Sequence, residues 1–365
     1  MARPLGHDAL GWAALRRAGM RAAERLAPQG ARVIVNGGNC PWPDVNWVHY
    51  LHAAYFAPLA GSPARRLWQK LKHQRALADE QRALRRARVV IANSEATRRE
   101  IVARLGVAPE RVHTVYYGAD PQVLTPITAG DRAAARAALG WAPERRVVLF
   151  VGALGDRRKG FDTLFAAWQA VCADPVDTPP LTRVAPDGRS APWLRSPAAG
   201  ARSAPGASEL PRWEADLVVV GRGAELEAWR ARATAHAAVA GRIRFLGRRE
   251  DVPRLLAASD LMVAPTRYEA YGLAVHEAWA RALPALVSAA AGVAERCLPE
   301  LRGRLLLDDP EDAVALAARL RTWGQSPESF AAPMRELSRR LHAHTWDDMA
   351  ATVIALATGE RGATA

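Results

Sequence analysis

The stretch SDLMVAPTRYEAYGLAVHEAWARALPALVSAAAGVAE at residues 259–295 combines the signals that decide the fold. Its apolar run at 261–264 has the length and composition of a strand that is buried on both faces. A loop containing Gly272 follows, and apolar residues then recur at helical spacing from Leu273. A second buried strand is predicted at 285–288. Strand, loop, helix and strand in this order predict a parallel α/β sheet.

The same alternation of short apolar runs and helical stretches extends along the chain in both directions. Because the apolar runs are continuous rather than alternating, each sheet is expected to have helices on both sides. Further strands are predicted at 31–36, 88–92, 112–117, 147–152, 217–221 and 243–247, with one more at 45–51. Helices are predicted at 62–87, 95–105, 131–139, 161–172, 224–238, 251–259 and 273–282.

Proline and glycine divide the chain into two lobes. Pro121, Pro126 and Gly130 punctuate a stretch without periodicity, which predicts a first lobe at 1–126 and a second at 127–343. Residues 174–214 are rich in Pro, Gly, Ser and Ala and show no helical or strand period. Such composition predicts a flexible surface insertion in the second lobe.

Composition is that of a globular protein with a basic surface. Of the 365 residues, 50% are hydrophobic and 24% are charged, and the formal net charge is +13. This balance favours anionic partners. The three cysteines form no CxxC pair, so neither a disulfide framework nor a zinc site is indicated and a reducing cytoplasm fits best. No apolar run approaches the roughly 18 residues of a membrane span.

The loop and helix start within 259–295 carry the residue types that bind a nucleotide diphosphate. Backbone N–H groups of Tyr271, Gly272 and Leu273 precede or open a helix, where anions bind favourably. Glu269 could accept sugar hydroxyls and Glu277 the two hydroxyls of a ribose, since a carboxylate accepts two hydrogen bonds. The alternative is that Glu277 interacts with its own helix terminus and Glu269 is a solvated loop charge.

Several segments match one family in the family's own order. The 259–295 segment resembles the E-x7-E region of family 4 retaining glycosyltransferases, whose GT-B fold has two Rossmann-like lobes with a cleft between them. The resemblance continues through VVIANSEATRREIVARLGVAPERVHTVYYGAD (89–120), FVGALGDRRKGFDTLFAAW (150–168), LVVVGRGAELEAW (217–229), RIRFLGRREDVPRLLAASD (242–260) and HTWDDMAATVIALA (344–357). It implies that residues 344–365 form a returning helix and tail.

The resemblance also assigns roles. It implies that Lys159 holds the donor diphosphate, and a lysine there can meet phosphate oxygens as a mobile point charge. Of the two histidines in WVHYLHAAY (47–55), His52 is the better match to the one that faces the transferred sugar, ahead of His49. The predicted catalytic residues are His52, Glu269 and Lys159. The predicted donor-binding residues are Gly152, Arg158, Lys159, Gly221, Arg222, Glu269, Tyr271, Gly272, Leu273, Glu277 and Glu295.

The chain departs from the family pattern in three places. Where the family has a Gly-Arg pair after its phosphate-binding strand, this chain has Gly152-Ala153, and Arg157 or Arg158 is the candidate replacement. The familiar Gly-x-Pro turn reads Ala282-Leu283-Pro284. The first lobe is also short, so either the recorded start lies downstream of the true one or the acceptor lobe is reduced.

These patterns predict a retaining glycosyltransferase that moves a sugar from a nucleotide diphosphate to a saccharide or glycolipid hydroxyl, with no metal and no cofactor. It is expected in the cytoplasm, where the basic helix at 62–88 either contacts the inner face of a membrane or is solvated; nucleic acid is not an expected partner. Alternatives are a non-catalytic nucleotide-sugar-binding protein, a GT-B epimerase or phosphorylase, and a basic interaction protein.

Overall fold

The computed structural model describes residues 9–59, 61–173 and 213–359. The insertion predicted at 174–214 therefore lies outside the described residues, apart from its last two.

The N-terminal third of the chain builds a four-stranded parallel sheet in the sequential order β1-β2-β3-β4. Side chains cap the helices where the sequence offers them: Ser62 and Ser94 each accept a backbone N–H at a helix start, and Gly106 ends a helix in the left-handed conformation. The elements are α1 (Ala9–Leu26), β1 (Ile34–Asn36), β2 (Val45–Val48), α2 (Pro63–Arg86), β3 (Val89–Ala92), α3 (Glu95–Leu105) and β4 (Val112–Thr114).

The rest of the described chain adds a six-stranded parallel sheet and nine further α-helices. The elements are α4 (Ala129–Leu139), β5 (Arg146–Val151), α5 (Phe161–Cys172), β6 (Ala215–Val220), α6 (Leu226–Ala235), β7 (Ile243–Gly247), α7 (Val252–Ala258), β8 (Leu261–Ala264), α8 (Leu273–Ala280), β9 (Ala285–Ser288), α9 (Pro299–Leu305), β10 (Leu306–Leu307), α10 (Ala313–Gln325), α11 (Ala331–His342) and α12 (Trp346–Thr358).

The strand order in this second sheet is β7-β6-β5-β8-β9-β10. The chain therefore begins the sheet in the middle with β5, builds outward to β7, and then returns to the other side of β5 with β8. This is the doubly wound, Rossmann-type order. The order reverses between β5 and β8, which pair through Val148 with Leu261 and Leu149 with Met262.

The chain divides into two compact units, each of which is discontinuous in sequence. The first comprises residues 1–121, 268–273 and 342–365, and the second comprises 122–267 and 274–341. In the first unit, Ala119 donates its N–H to the His344 carbonyl at 2.9 Å, which joins the start of the α12 segment to the loop after β4.

Tryptophans fill much of the core of the second unit. Trp168 on α5 and Trp323 on α10 are almost fully buried, and the ring of Trp213 packs against both, at centroid distances of 5.5 and 6.1 Å. Trp213 is the first described residue after the gap at 174–212. The chain is thus anchored in the core at residue 213.

The predicted α/β class with parallel sheets is confirmed. Each predicted strand run contains an observed strand, although β1 and β4 use only half of the runs at 31–36 and 112–117. The sequence did not predict α1, α9, β10, α10 or α11. β10 has only two residues, too few to produce a recognisable apolar run, and α1 carries arginines among its apolar positions.

Candidate functional site

The strand order of the second sheet reverses between β5 and β8, and both strands end at the same edge of the sheet. In doubly wound sheets, ligands bind outside the carboxyl ends of the strands at the point where the strand order reverses. The loops after these two strands are in direct contact: a Cβ on Gly160 would lie 1.9 Å from the Pro265 carbonyl oxygen. Only glycine fits there, and the turn carrying Lys159 is held against the loop after β8.

Lys159 lies at the end of a short 3-10 turn, Arg157–Lys159. The Asp156 side chain caps this turn by accepting the Arg158 N–H at 3.1 Å, and the Lys159 N–H donates to the Asp156 carbonyl at 3.0 Å. A Cβ on Gly152 would approach the Lys159 Cβ to 3.3 Å. Gly152 therefore leaves the space in which the lysine stem packs.

Arg267 ties the Lys159 turn to the loop after β8. Its guanidinium donates to both Asp162 carboxylate oxygens, at 2.8 and 2.9 Å, and to the Arg157 carbonyl at 2.7 Å. Its backbone N–H donates to the Arg158 carbonyl at 2.7 Å. Although burial raises the pKa of Asp162, the hydrogen bonds from Arg267 outweigh it and hold that pKa below its usual value. Sequence reasoning did not identify Arg267 or Asp162.

The two arginines of the turn are engaged by carboxylates. Arg158 forms a two-pronged contact with Asp156, with its Nε 3.0 Å from Oδ1 and its Nη2 2.6 Å from Oδ2. The Arg157 guanidinium lies 3.3 Å from Asp162. In the family, the position of Ala153 holds an arginine that binds phosphate. If Arg157 or Arg158 replaces that arginine, it must bind the phosphate while also pairing with an aspartate.

Gly221 and Arg222 lie in the loop after β6, directly beside the loop after β5. A Cβ on Gly221 would lie 1.8 Å from the Gly152 carbonyl oxygen, and one on Gly223 would lie 1.5 Å from that of Leu154. The Leu154 N–H donates to the Arg222 carbonyl at 2.9 Å. Arg222 is exposed. The structure thus brings Gly152, Lys159, Gly221 and Arg222 together at one edge of the sheet.

Glu277 and Glu295 belong to segments that follow β8 and β9. Glu277 is half-buried on α8, and burial raises its pKa despite the opposing effect of Arg281. Glu295 is half-buried in a 3-10 turn at Gly292–Arg296. Between them, Ala282 takes the position of the family's turn glycine with φ of 57°, a left-handed conformation that costs an alanine about 1–2 kcal/mol.

The first unit holds the predicted catalytic histidine. The His52 ring is partly exposed, at 40% of its side chain, and its Nδ1 lies 3.1 Å from Oε1 of Glu80, a side chain with no exposed surface. Glu80 also accepts the backbone N–H groups of His52 and Ala53, at 2.8 and 3.0 Å. Sequence reasoning missed Glu80, because it falls in a charged stretch of helix that is typical of a solvated surface.

The segment 268–273, with Glu269, Tyr271, Gly272 and the first residue of α8, packs within the first unit. The Ala270 carbonyl accepts the hydroxyls of Ser94 and Thr97, at 2.9 and 3.2 Å. The Tyr268 hydroxyl accepts the N–H of Leu51 at 2.9 Å, and burial raises its pKa. This anchors the segment beside the loop that carries His52. Gly272 has φ of 111°, which favours glycine.

His49 lies among aromatic side chains at the carboxyl ends of β2, β3 and β4. Its Nδ1 is 2.5 Å from the Tyr117 hydroxyl, and its ring lies 5.0 Å from that of Trp47. Asn93 is buried after β3, and its Oδ1 has no hydrogen-bond partner in the described part of the chain. These residues form a second polar and aromatic cluster in the first unit, which the sequence did not predict apart from His49.

Comparison with known proteins places these features in a family. Residues 31–123 match the sequence profile of Glycosyltransferase Family 4, and residues 201–325 match that of Glycosyl transferases group 1. The D-inositol 3-phosphate glycosyltransferase of Rhodococcus jostii (strain RHA1) is 28% identical over 276 residues, which is 74% of this chain and 52% of that protein. The D-inositol 3-phosphate glycosyltransferase 1 of Catenulispora acidiphila is 30% identical over 258 residues, 66% of this chain and 54% of that protein. The chain thus spans about half the length of the curated relatives it matches.

Solved structures share the fold at low identity. WaaG, a glycosyltransferase involved in lipopolysaccharide biosynthesis, superimposes with a TM-score of 0.66 at 20% identity over 98% of this chain and 86% of that one. Sucrose-phosphate synthase from Thermosynechococcus elongatus gives 0.64 at 21% identity, over 95% and 78%. HepE of Anabaena in complex with UDP-glucose gives 0.62 at 19% identity, over 93% and 77%. By its matches to these two family profiles, over residues 31–123 and 201–325, the chain belongs to the family 4, group 1 glycosyltransferases.

Proposed function

We propose that this chain is a retaining glycosyltransferase that takes a sugar from a nucleotide diphosphate and transfers it to a hydroxyl acceptor, without a resident metal or cofactor. The observation that carries this proposal is the Lys159 turn, fixed at the strand-order reversal between β5 and β8. That edge is where a Rossmann-type sheet binds a nucleotide. The family of the chain supports the same activity.

The chemistry needs a group that stabilises a leaving diphosphate. The bond between C1 of the sugar and the phosphate oxygen breaks, and its electron pair stays on the diphosphate. The acceptor oxygen bonds to C1 and passes its proton to the departing phosphate oxygen. Lys159 and nearby backbone N–H groups meet the negative charge that grows on the diphosphate, so a preorganised cradle lowers the barrier. Arg267 and Asp162 keep the Lys159 turn in place.

The remaining site residues bind the other parts of the donor. Gly221 and Arg222 take the base and ribose side, and Glu277 accepts the ribose hydroxyls. Gly272 and Leu273 add backbone donors for the phosphates, while Tyr271, which is buried, supports them. Glu269, Glu295 and His52 contact the transferred sugar.

We propose that the acceptor is a saccharide or a glycolipid. We also propose that the protein contacts the inner face of an anionic membrane peripherally. No helix in the described ranges is both long and apolar enough to cross a bilayer. The first half of α2 is exposed, and its side chains Leu67, Trp68 and Leu71 are 59, 61 and 55% exposed. At positions i, i+1 and i+4 they share one face of the helix.

Charge complements this apolar face. Residues 61–77 contain five arginines and lysines and no acidic residue. Two of the three lysines in the chain, Lys70 and Lys72, border the apolar face, and the Lys72 ammonium lies 5.2 Å from the Trp68 ring centroid. An apolar face with basic borders is the pattern of a helix that rests in an anionic lipid surface.

The first experiment is calorimetric titration of the full chain with UDP, GDP and ADP, in buffer containing EDTA. We expect one nucleotide to bind saturably, and the Lys159→Ala variant to bind it about tenfold to a hundredfold more weakly, the effect of losing one charge-assisted contact. Lys70→Ala is the matched control, because it removes a lysine from α2 and leaves the turn intact.

Two results would contradict the proposal. One is folded protein that binds none of the three nucleotides, and the other is Lys159→Ala protein that binds as tightly as the wild type. Loss of binding in EDTA that Mg²⁺ restores would overturn the metal-independent part alone. Once the nucleotide is known, the anomeric form of the sugar released from its donor, followed by proton NMR, tests whether configuration is retained.

A further inference from the structure

Glu80 is a fully buried carboxylate on α2. Within the described residues, no arginine or lysine forms an ion pair with it. Burying an ionised carboxylate without a partner is strongly unfavourable, so such groups are paired or hydrogen-bonded. Its hydrogen bonds come from the backbone N–H groups of His52 and Ala53 and from the His52 ring. The fold therefore buries this charge directly beneath the loop that carries His52.

Close packing at Gly38 brings Glu80 to this position. A Cβ on Gly38 would lie 2.9 Å from the Glu80 backbone nitrogen and 3.0 Å from its Cα. The turn that contains Gly38 is fixed in place by the buried Asn46, whose side chain bonds both the N–H and the carbonyl of Gly37, at 2.8 and 2.9 Å. Because Gly38 has no side chain, α2 packs directly against the backbone of this turn. This close packing brings Glu80 within hydrogen-bond distance of residues 52 and 53.

The three hydrogen bonds determine where the His52 proton lies. Oε1 of Glu80 accepts the His52 N–H and Oε2 accepts the Ala53 N–H. Each carboxylate oxygen thus accepts a backbone N–H, and a carboxylate can only accept hydrogen bonds. The His52 Nδ1, 3.1 Å from Oε1, must then carry the proton. In the neutral ring, Nε2 is then the acceptor, on a side chain that is 40% exposed.

We propose that Glu80 is a positioning residue that holds His52 in the Nδ1–H tautomer and presents Nε2 as a hydrogen-bond acceptor for a hydroxyl of the transferred sugar. The proposal rests on the function proposed above, in which His52 contacts that sugar. The Tyr50 ring supports the same orientation, because it meets the His52 ring edge to face at 4.8 Å and 85°.

The test is the tautomer of His52, measured from the imidazole nitrogen shifts of protein labelled with ¹⁵N-histidine at a pH where the ring is neutral. The His52→Gln variant assigns the signal. In the wild type, we expect a protonated Nδ1 and an unprotonated Nε2. In Glu80→Gln, the side-chain amide can donate to Nδ1, so we expect the proton to move to Nε2. Asp79→Asn is the control, since Asp79 lies on the same helix but pairs with Arg16 and Arg82.

An Nε2–H ring in the wild type, or an unchanged tautomer in folded Glu80→Gln, would overturn the proposal. A merely structural Glu80 would leave the tautomer where it is. Turnover gives a second readout: Glu80→Gln should lower kcat about tenfold to a hundredfold and leave nucleotide affinity unchanged, as expected for one lost orienting contact. If the wild type binds no nucleotide, the proposed function fails, and the tautomer still decides the role of Glu80.

Discussion

Gly160, Gly221 and Gly223 share one property: a Cβ on any of them would overlap the backbone of a neighbouring loop. The closest approaches are 1.9, 1.8 and 1.5 Å, all to carbonyl oxygens. Contacts this short cannot be relieved by a side-chain rotation when the neighbour is backbone. These glycines let the loops after β5, β6 and β8 touch, which gives the Lys159 turn its fixed surroundings.

Single residues were predictable where the information is local. Lys159 and the glycines around it stand next to the strand they follow, so their place at the sheet edge could be inferred from the sequence. Glu80 and Arg267 could not be found this way, because their partners are 28 and 105 residues away. In the sequence, a carboxylate in a charged helix and an arginine in a loop look like solvated surface residues. Only the folded structure shows the partners that make them buried or paired.

The pH dependence of nucleotide binding tests Glu277. Burial raises its pKa, so the carboxylate takes up a proton at a higher pH than an ordinary glutamate does. Accepting two ribose hydroxyls requires the ionised form. We therefore expect affinity to fall as the pH is lowered through this raised pKa, and calorimetric titrations across a pH series measure it.

The Glu277→Gln variant should lose this pH step and bind about tenfold more weakly at neutral pH. Glu227→Gln is the matched control, because Glu227 lies on α6 with a side chain that is 77% exposed. A pH step of the same size in Glu277→Gln would assign the titration to another group.

At the scale of elements, α2 combines two environments in one helix. Most side chains of its first half are exposed, whereas its second half buries Glu80, Ala83 and Leu84. The sequence predicted its limits almost correctly, as 62–87 against Pro63–Arg86. It did not predict which half packs, because charged and apolar residues alternate through both.

Removing the exposed apolar face of α2 should release the chain from lipid. We expect the triple variant Leu67→Ser, Trp68→Ser, Leu71→Ser to bind vesicles containing phosphatidylglycerol at least tenfold more weakly, since each large apolar side chain contributes more than 1 kcal/mol on burial. Co-sedimentation with vesicles measures this.

Ile354→Ser provides the comparison, since Ile354 is 59% exposed on α12. Binding that survives the triple substitution and disappears in high salt would mean that charge alone holds the protein at the surface.

Strands were the most predictable elements. Continuous apolar runs mark strands buried on both faces, and β3, β6 and β8 are buried at every position. The helices after β9 were harder to predict, and none was predicted between Pro299 and His342. The resemblance of 344–357 to a returning helix supplied α12, observed at Trp346–Thr358.

At the scale of the whole molecule, the first unit is completed by α12, although the second unit lies between them in sequence. Ala119 pairs with Thr345, and the Arg88 guanidinium donates to the Ala357 carbonyl at 2.6 Å. Gly118 makes this possible, since a Cβ there would lie 2.2 Å from the Thr345 carbonyl carbon. A sequence shows where helices and strands fall, but not that residues so far apart share one core.

The Gly118→Ala variant should therefore disrupt the contact between residue 118 and Thr345 at the start of α12. We expect the first unit to lose about 2 kcal/mol or more of stability, a typical effect of overpacking against backbone. Urea unfolding followed by the near-ultraviolet signal of the aromatic residues measures the loss.

Gly303→Ala is the control variant, because Gly303 lies within α9 and a Cβ added there would have no atom within 4 Å. It should be neutral or stabilise the protein by up to about 1 kcal/mol. Equal unfolding midpoints for the two variants would show that the Gly118 contact is dispensable.

The dependence of the first unit on α12 also has a consequence during translation. The nascent chain delivers residues up to 121 early, but α12 leaves the ribosome only after the whole second unit has been made. At synthesis rates of about 5–20 residues per second, that interval is roughly 10 to 50 s. Throughout it, the surface that α12 later covers stays open, so this is the period in which a chaperone would have the most to protect.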